Sequence, residues 1–154
     1  MNIREVIYLL TAIITIESAC YVFYLNRHSL TNKVYSLLSA DFAVISFILY
    51  KISGADSSNS CLAWYSSNTI PGSLVPSLSL HLSLCITGYR KSGKPLTICL
   101  IYLPAVIFIL LMSYADFFRS QCLQGSWGWE TVIRFNSNYA FIFILYANLV
   151  LAAS

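Results

Sequence analysis

Long apolar runs alternate with short polar connections along this chain. Apolar residues dominate 6–25 and again 34–53, two runs of 20 residues each. A third run covers 69–87, with an apolar lead-in from about Cys61, and a fourth covers 96–114. A fifth begins at Tyr139 and reaches Ser154. A helix needs about 20 predominantly apolar residues to cross the hydrocarbon core of a bilayer. The pattern therefore predicts an all-α fold: one domain over 1–154, built as a polytopic transmembrane helix bundle of about five spans. The fifth run, 139–154, gives only about 24 Å of helix at 1.5 Å per residue. It stops short of a crossing, so the natural chain is expected to continue.

Local signals mark the run ends. Thr31 and Asn32 are candidate N-caps for the second run, and Gly54 is a candidate stop. Pro95 suits the first position of the fourth helix. Pro71, Pro76 and Pro104 fall inside apolar runs and predict kinks. Membrane helices tolerate these when neighbours satisfy the freed backbone groups. The first run is read as a retained helix and not a secretory signal. The stretch before it, Met1-Asn2-Ile3-Arg4-Glu5, has no net positive charge, and Glu17 interrupts its apolar region.

Composition agrees with the pattern and narrows it. Hydrophobic residues make up 58% of the 154 and charged residues 10%, with a mean hydropathy of +0.71. Soluble domains are roughly 45–50% apolar and about 25% charged. The many aromatics, 15%, exclude a disordered chain. Little length remains for a soluble catalytic domain. A net charge of +3 is too small to point to nucleic acid.

The placement of the charges says more. Arg27 and Lys33 lie between the first two runs, and Arg90, Lys91 and Lys94 between the third and fourth, with no acid in either connection. The other connections mix signs: Lys51 with Asp56, then Arg119 and Arg134 with Asp116 and Glu130. By the positive-inside rule the two purely basic connections are cytoplasmic and the N-terminus is outside. Trp64, Trp127 and Trp129 then all fall on the outer side, where indoles favour the membrane interface. The outer connection 113–138 is aromatic and amphipathic. It reads as a set of interface anchors first, and as a lid over an external pocket second.

Several stretches, in order and spacing, resemble a known family. They are Tyr21-Val22-Phe23-Tyr24-Leu25-Asn26-Arg27-His28-Ser29-Leu30-Thr31-Asn32-Lys33, then Pro76-Ser77-Leu78-Ser79-Leu80-His81-Leu82 with Thr87-Gly88. Ile101-Tyr102-Leu103-Pro104-Ala105 and Gly125-Ser126-Trp127-Gly128-Trp129 follow. Together they resemble the seven-transmembrane N-terminal sensor region of bacterial histidine kinases and related signalling proteins, over nearly the whole chain. The resemblance implies an N-terminus outside the cell membrane and a cytoplasmic output module after the last span. These 154 residues would be about the first five spans. Asp41 departs from the small or apolar residue expected at its position, so no role is carried over to it.

No enzyme motif is present. His28 precedes Ser29 and His81 precedes Leu82, so neither has the acid that usually follows a phosphoacceptor histidine. There is no Gly-rich nucleotide loop, and the two His and five Cys lack metal-ligand spacing. No cofactor is expected. The unusual residues are Glu17, Asp41 and His81, ionisable groups inside apolar runs. Counted from the inner end of each run, all three sit roughly 10–12 Å deep. Such groups are costly in a membrane and usually face the bundle interior or a wet cavity. One reading is a buried polar layer that binds a ligand group, takes up a proton or couples helix movement. The other is local satisfaction: Glu17 bonded to Tyr21 or Tyr24, and His81 to a carbonyl freed by Pro76. Cys61 and Cys122 share the outer, oxidising side, so a disulfide between them and two free thiols both stand as readings. Cys20, Cys85 and Cys99 fall inside runs and read as packing residues.

The expected function is a membrane-embedded sensory module of the bacterial inner membrane. It would relay a small ligand or membrane stimulus to a kinase-type domain in cis or in trans. Its other partners are the lipid bilayer and, as an open alternative, a second copy in a homodimer. The rival reading is a small transporter or a structural membrane subunit, since broken helices and midplane charges also mark transporters. No internal repeat supports that rival.

Overall fold

The computed structural model describes residues 2–114, 119–125 and 128–134. Five helices come first: α1 Ile3–Leu25, α2 Leu30–Ser53, α3 Ser58–Ser67, α4 Thr69–Ile86 and α5 Pro95–Tyr114. Two strands follow, β1 Arg119–Gly125 and β2 Gly128–Arg134, paired antiparallel with Cys122 opposite Thr131. The fold is thus mainly helical, consistent with the expected all-α class, with one short hairpin added to the helices. The expected fifth span, 139–154, lies outside the described residues.

Caps set where the helices start. Asn2 Oδ1 accepts from the N–H groups of Arg4 at 2.9 Å and Glu5 at 3.2 Å, so α1 begins at Ile3, ahead of the apolar run. Ser29 caps α2 through the Asn32 N–H, so α2 begins at Leu30, ahead of the expected caps Thr31 and Asn32. Asn32 instead donates its side-chain amide to the Val22 carbonyl, closing the α1–α2 turn. At the end of α4 the chain forms a Schellman motif. Gly88 adopts φ +72°, its N–H donates to the Cys85 carbonyl, and the Tyr89 N–H donates to Leu84.

The third run, 69–87, is α4, and its apolar lead-in from Cys61 belongs to a separate helix, α3. Pro71 has no N–H for the Ser67 carbonyl and its ring would strike that oxygen. Accordingly α3 ends at Ser67, the Asn68 N–H turns back to Tyr65, and Pro71 falls in the first turn of α4, where no intrahelical donor is needed. Pro71 breaks the helix instead of kinking a span. Pro76 and Pro104 do lie inside α4 and α5. Close to Pro104, the buried Ser77 hydroxyl donates to the Ile101 carbonyl at 2.9 Å. The carbonyl that Pro104 frees is that of Leu100, one residue earlier, so this bond ties α4 to α5 and does not replace the one the proline removes.

Three helical stretches are long and apolar enough to cross a membrane: Ile3–Leu25, Leu30–Ser53 and Ser58–Ile86, the last joining α3 and α4. At 1.5 Å per residue α1 and α2 reach about 35 Å. A further apolar helix covers Pro95–Leu110. Burial is that of a membrane protein. Large apolar residues such as Ile7, Leu10 and Ile14 on α1 and Leu100, Leu103 and Leu110 on α5 point outward. Many of the buried helix positions are small: Ala12 and Ala19 on α1, Ser39, Ala43 and Ser46 on α2, Ser77 on α4 and Ala105 on α5. Without a hydrophobic drive between helices in lipid, close approach over small residues is what holds them. Helix α2 is the hub, packing on α1, α3, α4 and β2, while α5 packs on α4.

Candidate functional site

The richest chemistry lies at the end of the bundle where α1 starts and α2 finishes. Helix α3 and the hairpin close that end. A cluster of Ile48, Ile52, Cys61 and Cys122 is buried there, with Leu62, Trp64, Tyr65 and Trp129 packed around it. Cys61 and Cys122 form a disulfide with Cα atoms 6.3 Å apart, tying α3 to β1 across 61 residues. Gly128 brings β2 against α2. Its φ is +108°, and a Cβ there would collide with the Ser53 carbonyl.

Under the hairpin lies a half-open cavity of about 230 Å³. Tyr8 on α1, Leu49 and Ile52 on α2, and Trp129 on β2 provide its apolar walls. Ser53 and Thr131 add hydroxyls. Arg4 and Glu130 line it too and form an ion pair between α1 and β2, each side chain more than a third exposed. Exposure and solvent screening keep such a pair weak as a stabilising contact. Ser53 Oγ is buried and has no hydrogen-bond partner, which leaves a polar group in the cavity wall unsatisfied.

Beside the cavity, Lys51 is caged. Its Nζ stands 5.7 Å from the Phe47 and Tyr50 ring centres and 5.8 Å from that of Trp64. All three lie within the roughly 6 Å reach of a cation–π contact. Trp64 and Trp129, expected as interface anchors, are partly buried against the disulfide cluster. Trp127 lies outside the described residues.

The three intramembrane groups are placed separately. His81 is buried on α4. Its Nδ1 lies 3.1 Å from the Tyr102 hydroxyl of α5, and its Nε2 is buried without a partner. Tyr102, rather than a carbonyl freed by Pro76, is therefore its partner. Asp41 is half-buried on α2 with Oδ2 enclosed and unbonded. Glu17 is exposed on α1, and neither Tyr21 nor Tyr24 bonds it. No hydrogen bond or ion pair joins any two of the three. The reason is the helix face. At about 100° per residue, Glu17 lies about 200° from Ala19 and 140° from Ala12, the two buried positions of α1. Equal depth did not bring a shared face.

Sequence reasoning missed Arg4, Tyr8, Ser53 and Glu130. The partners of the ion pair are 126 residues apart, and no local spacing links them. The hairpin did leave a signal. Two residues separate Gly125 from Gly128, and the β-branched Thr131-Val132-Ile133 follows, a pattern that favours a strand after a tight turn. Among the described residues no group of three or more His, Cys, Asp or Glu could hold a metal.

No family model, curated protein or solved structure matches the chain.

Proposed function

We propose that this chain is a membrane-embedded receptor module, with the N-terminus and the capped end outside and the basic turns in the cytoplasm. One observation carries the reading: the two ends of the bundle are built differently. One end holds a cavity under a disulfide-tied hairpin, as an exposed ligand site would require. The other end carries Arg27, Lys33, Arg90, Lys91 and Lys94 with no acid, all of them exposed. Lys and Arg bias of this kind orients spans toward the cytoplasm, and a disulfide belongs on an oxidising face. A stimulus acts by binding two arrangements of the bundle unequally. Helix α2 is suited to carry the change, because its C-terminal end walls the cavity and its N-terminal end adjoins the basic turn.

The test is to determine the coding sequence beyond Ser154 and to join the chain to its output. A reading frame that continues into a histidine kinase or nucleotide cyclase supports the module. A second set of spans repeating the first set supports the transporter reading instead.

A further inference from the structure

We infer that the cavity under the hairpin binds a small zwitterion of the α-amino-acid class with an apolar side chain. The inference rests on the receptor reading only for which side the ligand comes from.

Charge is the first reason. Arg4 and Glu130 meet on the cavity wall from α1 and β2, and both remain partly open to solvent. A free amino acid carries one carboxylate and one ammonium a few bonds apart. Its carboxylate can accept from the Arg4 guanidinium while its ammonium donates to the Glu130 carboxylate. One ion pair is then replaced by two charge-assisted contacts, which are the stronger kind of hydrogen bond. A ligand with a single charge would pair only one of these residues and leave the other to solvent, making one charge-assisted contact where the zwitterion makes two. The site as a whole is electrically neutral and so favours a ligand that is neutral overall.

Shape and polarity are the second reason. Ligand pockets for drug-sized molecules run to about 300–1,000 Å³. This cavity, at about 230 Å³, suits something smaller. Leu49, Ile52 and Trp129 offer an apolar wall for a side chain. Ser53, only 5% exposed, has a hydroxyl with no partner. A ligand carboxylate beside it would accept that hydrogen. Asn2 caps α1 through the Arg4 N–H, which fixes the backbone that presents the guanidinium before any ligand arrives.

The experiment uses the full chain purified in nanodiscs, with thermal stability and calorimetric titration as readouts. The probes are leucine and phenylalanine, then leucinamide, which lacks the carboxylate, and 4-methylpentanoate, which lacks the ammonium. Leucine or phenylalanine should raise the melting temperature and titrate to saturation, while the two singly charged analogues should not. Arg4→Gln and Glu130→Gln should each weaken binding about tenfold or more. Arg4→Lys should recover most of it, and Lys91→Gln at the opposite end should leave it unchanged. No response to either amino acid overturns the inference. So does an equal response to leucinamide or 4-methylpentanoate, a comparison that needs no variant to fold. Binding is read without any signalling output, so a ligand that binds but changes no output would sink the receptor reading and leave this one standing.

Discussion

The two ends of the bundle solve the same problem, joining helices at a membrane surface, by opposite means. At the basic end the connections are short and satisfy themselves. Asn26 Oδ1 accepts from the His28 and Ser29 N–H groups, Ser29 caps α2, and the Schellman turn at Gly88 finishes α4. Those contacts are local, within a few residues. At the capped end the contacts span the chain: the disulfide across 61 residues and the ion pair across 126. The charges differ in kind as well. Lys51 stands in the last turn of α2, where the helix dipole favours a cation, and three rings surround it. Lys33 and Lys94 stand at the starts of α2 and α5, where the dipole opposes a cation. Helix stability does not account for Lys33 and Lys94, whereas the proposed cytoplasmic placement of the basic turns does. Short-range order makes a durable joint, and long-range order makes a site.

The sharpest way to break this comparison is to cut the one covalent tie. Constraining a loop of 61 residues is worth about 4 kcal/mol through the unfolded chain. Cys122→Ser should therefore lower the unfolding free energy in detergent by an amount of that order. Amide exchange should show where the loss falls. Protection should fall across α3 and the strands and stay near its original level in the α1–α2 turn. Equal loss at both ends would mean that the bundle unfolds as one unit and that the ends are not independent.

A single substitution made at each end sharpens the contrast. Gly88 and Gly128 both have positive φ, at +72° and +108°. A Cβ at Gly88 meets nothing within 4 Å, while one at Gly128 strikes the Ser53 carbonyl. Gly88→Ala carries only the backbone penalty, about 1 kcal/mol. Gly128→Ala adds a collision that must push β2 off α2, for a total of about 3 kcal/mol. Thermal melts of the two variants give the difference directly. Similar melting temperatures would show that the hairpin is not seated on α2.

What the sequence disclosed follows the same divide. Hydropathy runs located α1, α2, α4 and α5 to within a few residues, because burial in lipid needs only composition and length. Helix starts shifted where one side chain chose the cap, as Asn2 and Ser29 did. The Cys61–Cys122 pairing and the proximity of Arg4 to Glu130 come from tertiary closure, which no local window records. The 69–87 run began where α4 begins, and the apolar lead-in from Cys61 is set apart as α3 because Pro71 acts on the carbonyl four residues earlier.

Between the ends, Glu17 and Asp41 test whether depth alone makes a contact. Glu17 is exposed and Asp41 half-buried, with no bond between them. In a double-mutant cycle, Glu17→Leu and Asp41→Leu should add, with a coupling below about 0.5 kcal/mol. Asp41→Leu alone should be neutral or stabilising, since it removes an enclosed oxygen without a partner. Coupling well above that limit would restore a polar layer that these helix faces do not form.

The smallest effect on stability should come with the largest effect on placement. Arg90, Lys91 and Lys94 are exposed in the turn between α4 and α5, and exposed substitutions usually stay within about 0.5 kcal/mol. Replacing all three by Gln should hardly move the melting temperature. Losing Lys94 from the start of α5 should even help by a few tenths of a kcal/mol. Orientation is another matter, because the Lys and Arg bias of short loops decides which side they face. The readout is labelling of intact cells with an impermeant thiol reagent, in a background where Cys20, Cys85 and Cys99 are Ala. A cysteine at Ser58 should react from outside and one at Ser92 should not. In the triple Gln chain both sites should react, because the population inserts both ways round. If Ser92 stays protected there, the α4–α5 turn does not set the orientation by itself, and Arg27 and Lys33 or the capped end must be holding it.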